Sequence, residues 1–327
     1  MGKICVILAR MHTKAQYARV KKKQKIIVIV GPTASGKSAL AVELAQKFDG
    51  EIISADSRQV YRGLNIGTGK VTKTEMRGVP HHLLDVASPK RAFTAYDFAL
   101  MARNICSNIL QNDKIPIIAG GTGFYIDVLL GRTSLPDVPP DKRLRARLEK
   151  KTAAQLLAQL KRLSPKRAKA LVKKNEQNNK RRLIRAIEIA GSKSKAKFLD
   201  LPMMDLRSPS FEVLWVGVTP GPEKLRKRIH ARLIARMRRG MVAEARQLHE
   251  KGLSWKRMEE LGLEYRYLAR YLRGYTSKNE MVEQIEAKIW QYSRRQMTYW
   301  KRNKNIQWFK PSEEKRIKKA VKDFLAD

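Results

Sequence analysis

Gly31-Pro32-Thr33-Ala34-Ser35-Gly36-Lys37-Ser38 follows the apolar run Ile26 to Val30, so a G-x-x-x-x-G-K-S loop stands between a strand and a helix start. These residue types at this spacing hold phosphate. The glycines let successive backbone N–H groups turn toward phosphate oxygens, Lys37 adds a point charge, and the Ser38 hydroxyl can ligate Mg²⁺. A helix beginning near Gly36 directs its positive end at the same anion. The loop by itself does not separate a diphosphate ester from a nucleoside triphosphate. Asp56 lies just past a second strand, in Ile53-Ser54-Ala55-Asp56-Ser57-Arg58-Gln59-Val60-Tyr61. A carboxylate there can take a proton from a nucleophile or hold a metal; it can equally cap the turn that follows. Gly120-Gly121-Thr122-Gly123 follows a third strand, its glycines permitting close approach and Thr122 offering a hydroxyl to a substrate's polar edge. No apolar strand ending in Asp completes an ATP-hydrolysing Mg²⁺ site. That favours a transferase using the loop as a diphosphate cradle over an ATP-driven motor.

The elements that must position these groups read as an α/β parallel sheet. Ile26 to Val30, Glu51 to Ala55, Ile115 to Ala119 and Val213 to Val218 are the strands, and Ser38 to Phe48, Ala95 to Leu110 and Phe124 to Leu130 the covering helices. In such sheets ligands collect beyond the carboxyl ends of the strands, so the phosphate loop, Asp56 to Gln59 and Gly120 to Gly123 should converge on one rim. From residue 132 to 205 the strand-like runs vanish and short helical patterns follow, among them Asp141 to Lys150, Pro165 to Val172 and Lys180 to Ala190. This piece reads as a helical insertion, with Pro136, Pro139 and Pro140 at its beginning and the Pro202 to Pro209 stretch at its end. The expected organisation is a basic arm over 1–24, a discontinuous core over 25–131 and 206–310, the insertion over 132–205, and a tail over 311–327. Beyond the fourth strand, Arg226 to His249 and Met281 to Arg302 are the clearest helices. In the second, Met281, Ile285, Ile289, Tyr292 and Gln296 share one face.

Charge points to a polyanionic partner. The 327 residues carry 69 Lys+Arg against 30 Asp+Glu, a formal net charge of +39. The insertion alone holds 21 Lys+Arg against 7 Asp+Glu, a surplus of 14. Cys5 and Cys106 match neither a zinc site nor a disulfide framework, and a reducing interior is expected. No apolar run is long enough to span a bilayer. Residues 1–24 are basic and acid-free, consistent with an organellar transit peptide or, as the simpler reading, with a solvated basic arm or an upstream start codon.

The order of motifs resembles the adenosine-37 isopentenyltransferase family that modifies tRNA. The resemblance is carried by Gly31 to Ser38, Asp56-Ser57-Arg58-Gln59, Asn65-Ile-Gly-Thr-Gly-Lys70, Pro80-His-His-Leu-Leu-Asp85 and Gly120-Gly121-Thr122. It resumes at Arg182-Leu183-Ile184-Arg185-Ala-Ile-Glu188, Tyr265-Arg266 and Arg294-Arg295-Gln296-Met-Thr298, covering the chain from Lys25 to about Phe309. It implies a P-loop kinase-like sheet with an inserted, basic, all-helical tRNA-binding domain. It also implies transfer of a dimethylallyl group from dimethylallyl diphosphate to N6 of an adenine beside the tRNA anticodon. Asp56 is then similar in position to the general base, Lys37 to the group that stabilises the departing diphosphate, and Ser38 to the Mg²⁺ ligand. Thr33 and Ser35 would contact the diphosphate, Arg228 would clamp it, and Thr122 would orient the adenine. Segments similar to tRNA-contacting ones are Asp56 to Gln59, Arg145 within a residue or two, Arg181 to Arg185, Tyr265-Arg266 and Arg295-Gln296. A base stacked in the anticodon loop must be extruded before reaction.

The resemblance further implies a cytoplasmic, monomeric enzyme whose tRNA partner carries adenosines 36 and 37 in the anticodon stem-loop, adenosine 37 being the one modified; the missing zinc finger of eukaryotic forms fits a bacterial type. Four positions depart from the family's pattern: Asn179 for Asp, Lys180 for Pro, Glu264 for Gly and Tyr299 for Trp. His81 and His82 are expected to serve structural hydrogen bonds. The competing functions are an isopentenyltransferase acting on free AMP or ADP, which needs no large basic insertion, and a P-loop ATPase or RNA-binding module.

Overall fold

The computed structural model describes residues 23–136, 138–192 and 211–326. Most of the basic arm, Cys5 and the Pro202 to Pro209 stretch lie outside the described residues. The strands β1 (Gln24–Val30), β2 (Gly50–Ser54), β3 (His81–His82), β4 (Ile115–Gly120), β5 (Phe211–Val218) and β6 (Gln307–Phe309) form one sheet in the order β3-β2-β4-β1-β5-β6. Every pairing is parallel. β1 occupies the interior between β4 and β5, which is why Ile26 to Val30 is an unbroken apolar run: each of its five side chains is 0% exposed.

Two of the six strands escape the sequence pattern. β3 and β6 are short edges of two and three residues, and β3 consists of two histidines rather than apolar residues. Its hydrogen bonds are structural, as expected of this pair: His82 Nε2 meets Glu51 Oε2 at 2.7 Å, and His81 Nδ1 meets Val79 O at 2.9 Å.

The first helices are α1 (Lys37–Lys47), α2 (Lys73–Met76), α3 (Ala95–Gln111) and α4 (Gly123–Leu129). The chain divides into two compact units, Thr133–Pro202 and the remainder. Within the smaller unit run α5 (Lys142–Glu149), α6 (Ala153–Leu163), α7 (Pro165–Lys173) and α8 (Lys180–Gly191). Leu148, Leu156, Leu160, Ala168, Leu183, Ile184 and Ile187 form its own core. The departure at Asn179 keeps its capping function, since its side chain accepts from Arg182 N at the start of α8.

The larger unit continues with α9 (Pro222–Arg238), α10 (Met241–Glu250), α11 (Trp255–Leu261), α12 (Leu263–Leu272), α13 (Lys278–Trp300) and α14 (Glu314–Ala326). The single helix expected over Arg226 to His249 is two. Gly240, at φ 94°, takes a left-handed conformation that ends α9 and starts α10. The expected tail over 311–327 is largely α14, whose Ile317 and Val321 are buried in the same apolar cluster as Ile27, Ile29 and Val216 of the sheet.

Candidate active site

Parallel register brings the predicted rim together. Val30 at the end of β1 pairs with Gly120 of β4 and Gly217 of β5, and Ser54 of β2 pairs with Ala119. The chains stay joined past the last strand residues: Ala55 N donates to Ala119 O at 2.9 Å and Thr122 N to Ala55 O at 3.1 Å. The phosphate loop, Asp56 and Thr122 therefore emerge side by side.

The loop is shaped by backbone that side chains resist. Gly31 has φ 152°, and a Cβ there would come within 2.3 Å of Val218 O. Gly36, at φ 102°, turns the chain into α1, and Ala34 is left-handed at φ 62°. Ser35 Oγ is buried and has no hydrogen-bond partner among the described residues. A buried hydroxyl with nothing to bind suits a loop built for an anion. Lys37 Nζ donates to Pro32 O at 3.1 Å. Burial pushes its pKa down to about 8; the negative charge of Asp56 acts against that shift and the positive charge of Arg232 adds to it. Arg228 reaches the loop from α9, its Nη1 donating to Ser35 O at 3.2 Å.

Asp56 caps its turn, its Oδ1 accepting from Arg58 N at 2.8 Å and from Gln59 N at 3.3 Å. Among the described residues no hydrogen bond reaches Oδ2, so the carboxylate keeps one oxygen for a substrate. Thr122 Oγ1 accepts from Ser57 N at 3.0 Å, which ties the glycine turn to the segment after Asp56. Gln59 Nε2 reaches Gly69 O at 3.4 Å.

Three residues at this site carry roles the sequence did not disclose. Arg232 stands one helical turn beyond Arg228 and bears electrostatically on Lys37; the i, i+4 spacing of the two arginines was the available signal. Tyr292, expected only to pack, bears on Asp56 and Thr122, and burial followed by the Asp56 charge pushes its hydroxyl up to about 12. Gln296 is 5% exposed and braces the rim from α13. Its Oε1 accepts from Thr33 N at 2.9 Å and its Nε2 donates to Gly121 O at 3.0 Å. A polar residue on an otherwise apolar helix face was the clue to that brace.

Several residues expected at the tRNA surface prove to be internal. Gln296 is one. Tyr265, 1% exposed, donates from its hydroxyl to Glu244 Oε1 at 2.7 Å, while Glu244 also accepts from the backbone N–H groups of Asn65, Ile66 and Gly67. Leu183 and Ile184 belong to the core of the helical unit. These four side chains have little or no exposed surface, and in this structure they pack and brace the fold. Arg145 and Arg185 grip the buried Glu188, with Arg145 Nη2 at 2.7 Å. Arg182 pairs with Glu176, whereas Arg181 and Arg295 are exposed. Arg266 donates from Nε to Glu259 O at 3.2 Å and is half-buried. Ser38 is exposed at the start of α1, and Ser57 and Arg58 are half-buried at the rim.

Comparison with known proteins places this arrangement. A tRNA dimethylallyltransferase 2 from Treponema denticola is 40% identical over 287 residues, covering 88% of this chain and 94% of its own length. The crystal structure of a full-length tRNA isopentenylpyrophosphate transferase from Bacillus halodurans superposes with a TM-score of 0.68 at 31% identity, covering 92% of this chain and 96% of that one. A eukaryotic dimethylallyltransferase described as acting on tRNA gives a TM-score of 0.70 at 26% identity, covering 88% and 74%. Residues 59–303 match the family described as IPP transferase, and the chain belongs to that family.

Proposed function

We propose that the chain transfers a dimethylallyl group from dimethylallyl diphosphate to N6 of adenosine 37 in tRNA, releasing diphosphate and leaving N6-(dimethylallyl)adenosine. The observation that carries this reading is the convergence, in a chain of the IPP transferase family, of a phosphate loop, a carboxylate with a free oxygen and a hydroxyl on one rim. An exocyclic adenine amine is a weak nucleophile because its lone pair is delocalised into the ring. As the N6–C1 bond forms and the C1–O bond to diphosphate breaks, the N6 proton passes to Asp56. The charge developing on the departing diphosphate is met by the loop amides, Lys37, Arg228 and Arg232. Thr122, fixed through Ser57 N and in hydrogen-bonding reach of Tyr292, sets its hydroxyl at the rim to orient the adenine edge.

Among the described residues no group of three or more His, Cys, Asp or Glu side chains could hold a metal. A Mg²⁺ that arrived with the diphosphate would find the Ser38 hydroxyl, exposed at the start of α1, as its protein ligand. When bound, the ion would neutralise charge on the diphosphate. The tRNA is the acceptor favoured over free AMP or ADP because the helical unit carries so large a surplus of positive charge. We place the enzyme in the cytoplasm as a monomer; among the described residues no helix is long and apolar enough to cross a membrane. Incubation with labelled dimethylallyl diphosphate, unmodified tRNA and AMP tests the reading. Label is expected on tRNA alone; label on AMP, or on neither acceptor together with ATP turnover, rejects it.

A further inference from the structure

Three arginines spaced four residues apart, Arg228, Arg232 and Arg236, lie along one face of α9. Arg228 stands over the phosphate loop, where a Cβ on Gly36 would be 3.7 Å from its Nη1. Arg232 and Arg236 both reach over Gly69, where a Cβ would lie 3.5 Å from the Nη2 of Arg232 and 3.7 Å from the Cδ of Arg236. The stripe crowds positive charge: burial first, then Arg236, lowers the pKa of Arg232, with Arg228 adding to the effect and Glu75 opposing it.

The third arginine is not offered as the first two are. Arg236 Nη1 donates to Glu264 Oε1 at 2.8 Å and also to Gly67 O, and both side chains of the ion pair are 12% exposed. Glu264 sits in the first turn of α12, a position favourable to a carboxylate. It is also one of the positions where this chain departs from the pattern it resembles, with Glu in place of Gly. Lys37, Arg228 and Arg232 thus crowd positive charge at the loop end of the stripe, and its other end is a neutralised pair with a carboxylate in it.

Building on the proposed use of a diphosphate donor, we propose that Glu264 sets the length of phosphate chain the cradle accepts. By engaging Arg236 and placing negative charge at the far end of the stripe, it makes diphosphates bind in preference to triphosphates. Simple attraction to a positive site would rank the two anions the other way, because the triphosphate carries more charge.

Calorimetric titration of the full-length protein with inorganic diphosphate and with tripolyphosphate, at one ionic strength, tests this. The wild type is expected to bind diphosphate more tightly. Glu264→Gln should shift the ratio of the two affinities toward tripolyphosphate by about tenfold, the value of one charge-assisted contact regained. Adding Arg236→Met to it should return the ratio to that of the wild type. A wild type that binds tripolyphosphate as tightly as diphosphate overturns the proposal, whether or not the variants fold. So does an unchanged ratio in Glu264→Gln, or a shift that persists in the double variant. No prenyl transfer enters these ratios, so failure here leaves the transfer reading standing, and failure of transfer leaves the ratios interpretable.

Discussion

On the proposed reaction, Asp56 would serve the fold and the chemistry with one side chain. Its Oδ1 is committed to Arg58 N and Gln59 N, which fixes the carboxylate's orientation before any substrate arrives. The sequence left capping and proton transfer as alternatives; the capping uses Oδ1 alone, which leaves Oδ2 for the proposed proton transfer. Asp56→Ala is expected to lower the single-turnover transfer rate by about a hundredfold to ten-thousandfold, the range for loss of a positioned base, with tRNA affinity largely retained. An unchanged rate would remove Asp56 from that role. Lys37 supplies the pH dependence. Its pKa in the folded protein lies below the ordinary lysine value, so its charge is present below about pH 8 and lost as pH rises through it. Affinity for dimethylallyl diphosphate in the substrate-free enzyme should therefore decline as the solution passes from about pH 7 to about pH 9.5. In Lys37→Met most of the affinity and this decline should both disappear, which calorimetry across that range would reveal.

At the scale of elements, the rim depends on α13 as much as on the sheet. Gln296 links the phosphate loop to the glycine turn after β4, and both of its partners are backbone groups. Gln296→Ala leaves Thr33 N and Gly121 O unpaired in a buried place, at a cost of about 1–3 kcal/mol in urea unfolding. It should also raise KM for the donor more than it lowers kcat, because the loop amides lose their support while Asp56 keeps its own. A fall in kcat with KM unchanged would contradict this assignment. The same helix shows what was legible in the sequence and what was not. Its apolar face was readable from the spacing of Met281, Ile285 and Ile289, all of them buried. Spacing placed Gln296 on that face, but no local rule says which backbone groups a buried amide meets 175 and 263 residues away. The central strands were legible because burial on both faces writes a continuous apolar run. β3 was not, because a two-residue edge needs no such run and His81-His82 is held by side-chain hydrogen bonds instead. The break at Gly240 was marked by a glycine, yet an apolar pattern that continued across it read as one helix.

Over the whole molecule, positive charge is plentiful, and the question is which part of it is committed to the protein's own fold. In the helical unit Glu188 is 3% exposed and is reached by Arg145, Arg185 and the backbone N–H of Asp141. These arginine bonds, ahead of the Asp141 bond, hold the Glu188 carboxyl below the usual range against the burial that would raise it. Arg181 is exposed on the same helix, and Arg182, also exposed, pairs with Glu176. The residues that resemble a single basic tRNA-binding cluster therefore divide into two kinds. Arg185→Ala should cost about 1–3 kcal/mol of stability, since it removes one partner of a buried carboxylate. Arg181→Ala should leave the melting temperature nearly unchanged and weaken tRNA binding, reducing the slope of log affinity against log salt by about one if it neutralises one phosphate. Filter binding over a salt series, read beside thermal unfolding, separates them. If Arg181→Ala leaves the slope intact while Arg185→Ala lowers it without loss of stability, RNA contact belongs to the arginine beside Glu188, and the division drawn here is reversed.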